Sequence, residues 1–270
     1  MLRASMNWKE AWFKVEGARR GGGRSRPQIT SCRFMMGGLL LISLSGCASE
    51  LPTYPPMADA DALGLIAARM DSVRSISASA DLSLTSVEGE TVSLDGAFAA
   101  RPPKRARLRA WKFGSPVLDL TIVPEGAWVY AVARDGSAST EMTKLPAAGV
   151  SQSIELLSGA YFSGARPVAS ESTSTTLVVA GPALGREDVR CEIDRATLTP
   201  RRFVLAPPGD GKDMEIVLDR YALFGDIVWA GRMQFRGPGG TIMIRFADLE
   251  LNGEIAENAF VPPGRATRLP

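Results

Sequence analysis

Apolar and polar positions change period three times along this chain. From Ala58 to Ile76, ADADALGLIAARMDSVRSI, the residues Leu63, Ile66, Met70 and Val73 recur at helical spacing, and Leu65, Ala67 and Ile76 broaden the same face. This predicts an amphipathic helix, with Asp59 and Asp61 near its positive end. After it the period drops to two. ASADLSLTS sets Ala78, Ala80, Leu82 and Leu84 on one side and Asp81 and Ser83 on the other. TVSLDGAFAA does the same with Val92, Leu94 and Phe98, and Glu88-Gly89-Glu90 between the two runs predicts a hairpin turn. KRARLRAWK, VLDLTIV and GAWVYAVA continue the meander, the last two joined by Pro124-Glu125-Gly126. Leu82, Leu84, Leu94, Phe98, Leu108, Leu118, Leu120 and Ile122 are thereby expected on a common inner wall. Trp128 and Tyr130 share one strand face and are expected as core filling or as part of that wall.

The alternation breaks at VSQSIELLSGAYF, where Ile154, Leu157 and Tyr161 fit a second short helix. It resumes in six runs: TTLVVAG, DVRCEIDR, PRRFVLA, KDMEIVLDRYALF, DIVWAGRMQFR and TIMIRFADLELNG. GPGG at Gly237 to Gly240 sits between the last two and predicts a hairpin turn. The expected fold is mainly β. About eleven antiparallel strands form a single strongly curved sheet, a half-open, unclosed β-barrel. An apolar concave face needs a cover, and two or more short helices are the expected lid.

One apolar stretch has no such period. Met35 to Leu44 is a ten-residue run of apolar and small residues. A bilayer-spanning helix needs about twenty, whereas ten is the size of a secretory signal's apolar region. Arg24, Arg26 and Arg33 precede it, and Leu44-Ser45-Gly46-Cys47 resembles a bacterial lipobox, cut after lipid is attached to the cysteine thiol. The expectation is a lipoprotein signal peptide over 1–46, with the translation start between Met6 and Phe34. A lipidated Cys47 on a proline-rich tether, 47–57, is expected to follow, and then a folded domain over 58–270. Ala48, rather than an acidic residue, suits sorting to the outer membrane.

Removing the leader changes the charge. The full chain carries 31 Lys and Arg against 29 Asp and Glu. Eight of the basic residues and two of the acidic ones precede Cys47, which leaves 23 and 27 and a net charge of −4. That removes the general case for nucleic-acid binding. Of three cysteines, Cys191 alone would remain inside the fold, and its alternation with Val189 and Ile193 predicts a core strand position. Histidine is absent from the chain, so Ser-His-Asp and Cys-His catalysis and HExxH metal sites are excluded. The pairs Asp210 with Asp213 and Glu254 with Glu257 fall in turn-rich segments and read as solvated surface. No catalytic residue, metal site or cofactor is expected beyond the covalent lipid.

The order helix, meander, helix, meander, with LDGAFAARPPKRARLRAW, FGSPVLDLTIVPEGAWVY, CEIDRATLTPRRFVL and LELNGEIAENAFVPPGR, resembles the LolA/LolB-like superfamily of bacterial lipoprotein carriers. The matching positions are Gly96, Pro103 with Arg107 and Arg109, Gly114, Trp128 with Tyr130, Asp194 with Pro200, and Phe260 with Pro262-Pro263. The resemblance implies an apolar cavity for acyl chains, with the eight wall residues lining it. It also implies a lipid-anchored monomer on the periplasmic side of the outer membrane, which accepts lipid or lipoprotein from a soluble carrier without catalysis. The alternative is an envelope lipoprotein that uses the same fold as a protein-interaction module. Superfamily acceptors carry an exposed apolar residue on a loop. Lys112 to Pro116 is the corresponding turn here, and Phe113, flanked by Arg109 and Lys112, is the expected membrane contact. The six basic residues from Arg101 to Lys112 are either a solvated strand face or contacts to anionic headgroups.

Overall fold

The structure is a computed structural model and describes residues 50–132, 156, 158–183, 186–205, 213–237 and 240–270. Cys47, the leader, Ile154, Leu157 and Asp210 lie outside the described residues.

The first period-3.6 segment is α1, Asp59–Asp71. Leu63, Ile66, Met70 and the following Val73 are buried. Leu65, expected on the same face, is 46 % exposed. At 100° per residue it stands about 200° from Leu63, on the far side of the helix. Asp59 pairs with Arg195 at 2.7 Å, which ties the start of α1 to the sheet. The stretch expected as a tether is docked too: the Tyr54 amide donates to the Ala196 carbonyl at 2.7 Å, and Tyr54 and Met57 pack against the core.

Five strands follow: β1 (Ile76–Thr85), β2 (Thr91–Arg101), β3 (Arg105–Lys112), β4 (Ser115–Val123) and β5 (Gly126–Ala131). The second helix is described as α2, Ala160–Gly164, which holds Tyr161. Then come β6 (Arg166–Pro167), β7 (Thr176–Ala183), β8 (Arg186–Asp194), β9 (Thr199–Leu205), β10 (Met214–Phe224), β11 (Ile227–Gly237), β12 (Gly240–Leu251) and β13 (Thr267–Arg268). The eleven predicted strands are all present, and β6 and β13 add two residues each. All pair antiparallel in one sheet of order β13-β5-β4-β3-β2-β1-β12-β11-β10-β9-β8-β7-β6, with the ends unpaired to one another. The half-open barrel is therefore observed as expected.

The predicted turns fall in place. Gly89 has φ +87° in the β1–β2 turn, and β11 and β12 are paired up to Gly237 opposite Gly240. Cys191 is fully buried in β8 between Val189 and Ile193, and burial pushes its thiol pKa well up. Asp194 shapes the β8–β9 turn by accepting the Thr197 amide at 2.8 Å and its hydroxyl at 2.9 Å. Partial burial would raise its pKa, but these bonds and Arg201 hold it below the ordinary carboxylate range.

The C-terminal segment lies across the outer face of β2–β4. A 3-10 turn, Glu257–Phe260, sits over β3 and β4. Glu257 is exposed, as a solvated surface position should be, and its carboxylate also holds both Arg101 and Arg105. Arg107 donates to the Ala259 carbonyl at 2.9 Å.

Candidate functional site

Register decides which side chains share a face. Across eight strands the partners run Val92, Leu84, Ile242, Phe235, Ile216, Phe203, Cys191, Val179. A parallel row runs Leu94, Leu82, Ile244, Met233, Leu218, and a third runs Phe98, Leu108, Leu120, Val129. All eight predicted wall residues lie on this one face. Leu82, Leu84, Leu94, Leu118 and Ile122 are buried, while Phe98, Leu108 and Leu120 are only half-buried. The half-buried strip continues through Phe246, Ile242, Phe235, Met233 and Leu218. Phe98 and Phe246 touch across it with ring centroids 5.8 Å apart. A sheet packed shut would cover these side chains; here an apolar trough stays partly open.

Gly96 is one reason the trough is smooth. It lies on the inner face opposite Ala80 and Ala110, and a Cβ there would meet Leu82 Cδ1 at 2.2 Å. Only glycine lets the Leu82 side chain lie flat across β2.

The trough deepens into a cavity of about 50 Å³ beneath α1, against β9–β11. Met70 and Arg69 line it from the helix, Phe162 from α2, and Phe203, Ile216 and Trp229 from the sheet. None of the eight predicted residues lines this cavity; they form the continuation of the same face on β1–β4. The two helices act as its lid. The Gly159 amide donates to Asp71 at 2.8 Å, and the Tyr161 hydroxyl donates to the Val189 carbonyl at 2.8 Å. Tyr161, Phe162 and Phe203 form an aromatic cluster with Tyr161 edge-on to each of the other two. The alternation in PRRFVLA and DIVWAGRMQFR carried the signal for Phe203, Trp229, Met233 and Phe235. Arg69 and Tyr221 had no such signal.

The expected tip is real. Phe113 is 94 % exposed, and Phe113 and Gly114 form the whole β3–β4 loop with φ +53° and +77°. Two positive φ values define the tight hairpin turn that matches strand twist, and an aromatic is a strained occupant of its first position. The Lys112 ammonium lies 5.8 Å from the Phe113 ring centre. Arg109, about half exposed on the outer face, lies with its Nε 3.1 Å from Asp119 and its guanidinium over the Trp111 ring at 5.2 Å.

The basic cluster lies on the outer face of its strand, with Arg101 and Arg105 paired to the exposed Glu257 and Arg107 and Arg109 to Asp119, so its charge is partly balanced and only Arg107 is largely covered. One further expectation changes. Trp128 and Tyr130 are neither core filling nor wall. Leu120 pairs with Val129 and Ile122 with Ala127, which turns Trp128 and Tyr130 to the outer face. There Arg268 and Arg265 of the C-terminal segment stack on them at 5.6 and 4.0 Å. Among the described residues there is no cluster of three potential metal ligands, and no helix is long and apolar enough to cross a membrane.

No family model and no curated protein matches this chain in sequence. Its structure is similar to a LolA superfamily protein from Nitrosomonas europaea, with a TM-score of 0.51 at 11% identity, over 74% of this chain and 97% of that one. It is similar to a DUF1329 family protein from Desulfovibrio piger, with a TM-score of 0.53 at 13% identity, over 77% and 98%. A domain from Vibrio parahaemolyticus named for outer membrane lipoprotein sorting aligns with a TM-score of 0.50 at 10% identity, over 73% and 94%. The fold is LolA/LolB-like.

Proposed function

We propose that this chain is a lipoprotein anchored by a lipidated Cys47 to the periplasmic side of the outer membrane. It holds acyl chains along the inner face of its sheet and accepts or transfers lipids or lipoproteins without catalysis. The observation that carries the reading is the open apolar trough from Leu120 to Leu218, roofed over its deep end by α1 and α2. A continuous row of half-buried apolar side chains beside an apolar cavity suits an extended hydrocarbon. The neighbour named for lipoprotein sorting supports the same reading through its fold. Phe113, with Lys112 beside it and Arg109 at its base, is the proposed point of contact with the bilayer: an aromatic at headgroup depth next to cations.

Two experiments test it. Transfer of a pyrene-labelled acyl lipid from the protein to anionic vesicles is expected to be slower for Phe113→Glu, with unchanged circular dichroism. A wild type that takes up no labelled lipid would overturn the carrier reading, and an unchanged transfer rate in the variant would leave Phe113 as a turn residue only. For the anchor, Cys47→Ser is expected to move the protein from the membrane to the soluble fraction and to remove the mass of the lipid. Identical mass and fractionation would refute lipidation at Cys47.

A further inference from the structure

The cavity is apolar except at one end. Arg69, in the last turn of α1, reaches into it with its guanidinium. One Nη2–H donates to the Leu198 carbonyl, yet Nε is buried and has no acceptor. No carboxylate among the described residues forms an ion pair with it. Two phenols act on it, Tyr54, which also hydrogen-bonds the side chain, and Tyr221. The Tyr221 hydroxyl is spent on the Pro200 carbonyl at 2.5 Å, and burial pushes its pKa up, so it stays neutral. Burial presses the Arg69 pKa down, against the pull of the two phenols. Arginine nonetheless keeps its proton. A cation with one buried donor left without an acceptor is costly in an apolar site and calls for an anion.

We infer that Arg69 is a headgroup site: the cavity takes an acyl chain whose end carries a carboxylate or phosphate oxyanion, which accepts the Nε–H while the chain lies against Met70, Ile216 and Phe235. The inference rests on the acyl-chain reading above and adds the polarity of the ligand and its direction, head under α1 and tail along the trough. At about 50 Å³ the cavity holds the head and the first carbons, not a whole chain. The flexible side chains of Met70 and Met233 are the parts of its wall that adapt most easily.

The competing role for Arg69 is purely structural, a staple from α1 to Leu198, which is itself held at φ +52°. The experiment separates the two. The full chain is loaded with the uncharged probe N-phenyl-1-naphthylamine and challenged with dodecanoate, dodecyl phosphate, dodecanol, acetate or inorganic phosphate. In the wild type, the better of the two charged amphiphiles is expected to displace the probe at a concentration at least about tenfold below that of dodecanol, as one charge-assisted hydrogen bond allows. Whichever head acts at the lower concentration identifies the oxyanion. Arg69→Met is expected to lose the gap between the charged amphiphiles and dodecanol, each read against the variant's own affinity for the probe, and Arg69→Lys to retain part of it. Equal potency of the charged and uncharged amphiphiles in the wild type, or a gap that survives in Arg69→Met, overturns the headgroup site and leaves the carrier reading standing. Displacement by acetate or inorganic phosphate alone would make it a small-anion site and overturn the lipid assignment. If the wild type binds neither probe nor dodecanol, the carrier reading fails and this inference with it. Should Arg69→Met not fold, the wild-type comparison of acid with alcohol and the Arg69→Lys variant decide.

Discussion

Asp119→Ala is expected to destabilise the fold by about 3–5 kcal/mol, the cost of leaving one member of a buried ion pair alone. Asp119 is 4 % exposed on the outer face of β4. It accepts Arg107 in a two-pronged pair, Nε at 2.9 Å and Nη2 at 2.7 Å. It also accepts the Thr121 hydroxyl at 3.2 Å and lies 3.1 Å from Arg109 Nε. The Arg107 side chain is only 13% exposed, so it has little water to turn to once the carboxylate is gone. Arg109, at 46%, loses much less. Urea unfolding of the single variant, set beside Asp119→Leu combined with Arg107→Met, provides the check. The double variant should recover most of the loss, because it removes the orphaned charge as well as the pair. A single-variant loss under about 1 kcal/mol would mean that water reaches the pair and that the C-terminal segment does not seal this face.

Phe203→Ala is the second large effect, with an expected loss of about 3–5 kcal/mol. Phe203 is 1 % exposed and packs its ring 5.4 Å from Tyr161 and 6.2 Å from Phe162. It is the point where sheet, α2 and cavity wall meet, so truncation removes packing from all three. Because the ring also lines the cavity, the alanine variant should enlarge it, and an enlarged dry apolar cavity binds apolar guests. Uptake of N-phenyl-1-naphthylamine is therefore expected to rise while the urea midpoint falls. A midpoint shift equivalent to less than about 1 kcal/mol would show that the site collapses around the gap. Unchanged probe uptake would show that the probe does not sit against Phe203.

The periodicity of the chain carried most of the fold. The alternation in ASADLSLTS and TVSLDGAFAA placed Leu82, Leu84, Leu94 and Phe98 on one face because side chains alternate strictly along a strand. Antiparallel register kept that face continuous through Leu108 and Leu120. The turn chemistry of Gly89, Gly114 and Gly237 to Gly240 was equally local, and so was the exposed position of Phe113. The same local logic failed where two phases are possible. In GAWVYAVA both alternating sets are apolar, so the sequence could not say whether Trp128 and Tyr130 or Val129 and Ala131 face inward. Pairing with Leu120 and Ile122 settled it.

Arg69, Tyr221, Glu257 and Asp119 depended on tertiary structure in a stronger sense. Nothing in the sequence singles out Arg69, and only the folded chain removed its Nε from water. Tyr221 lines the cavity together with Ile216 and Leu218, out of step with their alternation, after Arg220 adopts φ +53°. Glu257 and Asp119 met their arginines through contacts 152, 156 and 12 residues apart. A local pattern fixes which way a side chain points relative to its own backbone. Which distant groups it then meets, and whether water still reaches it, depends on the folded chain as a whole.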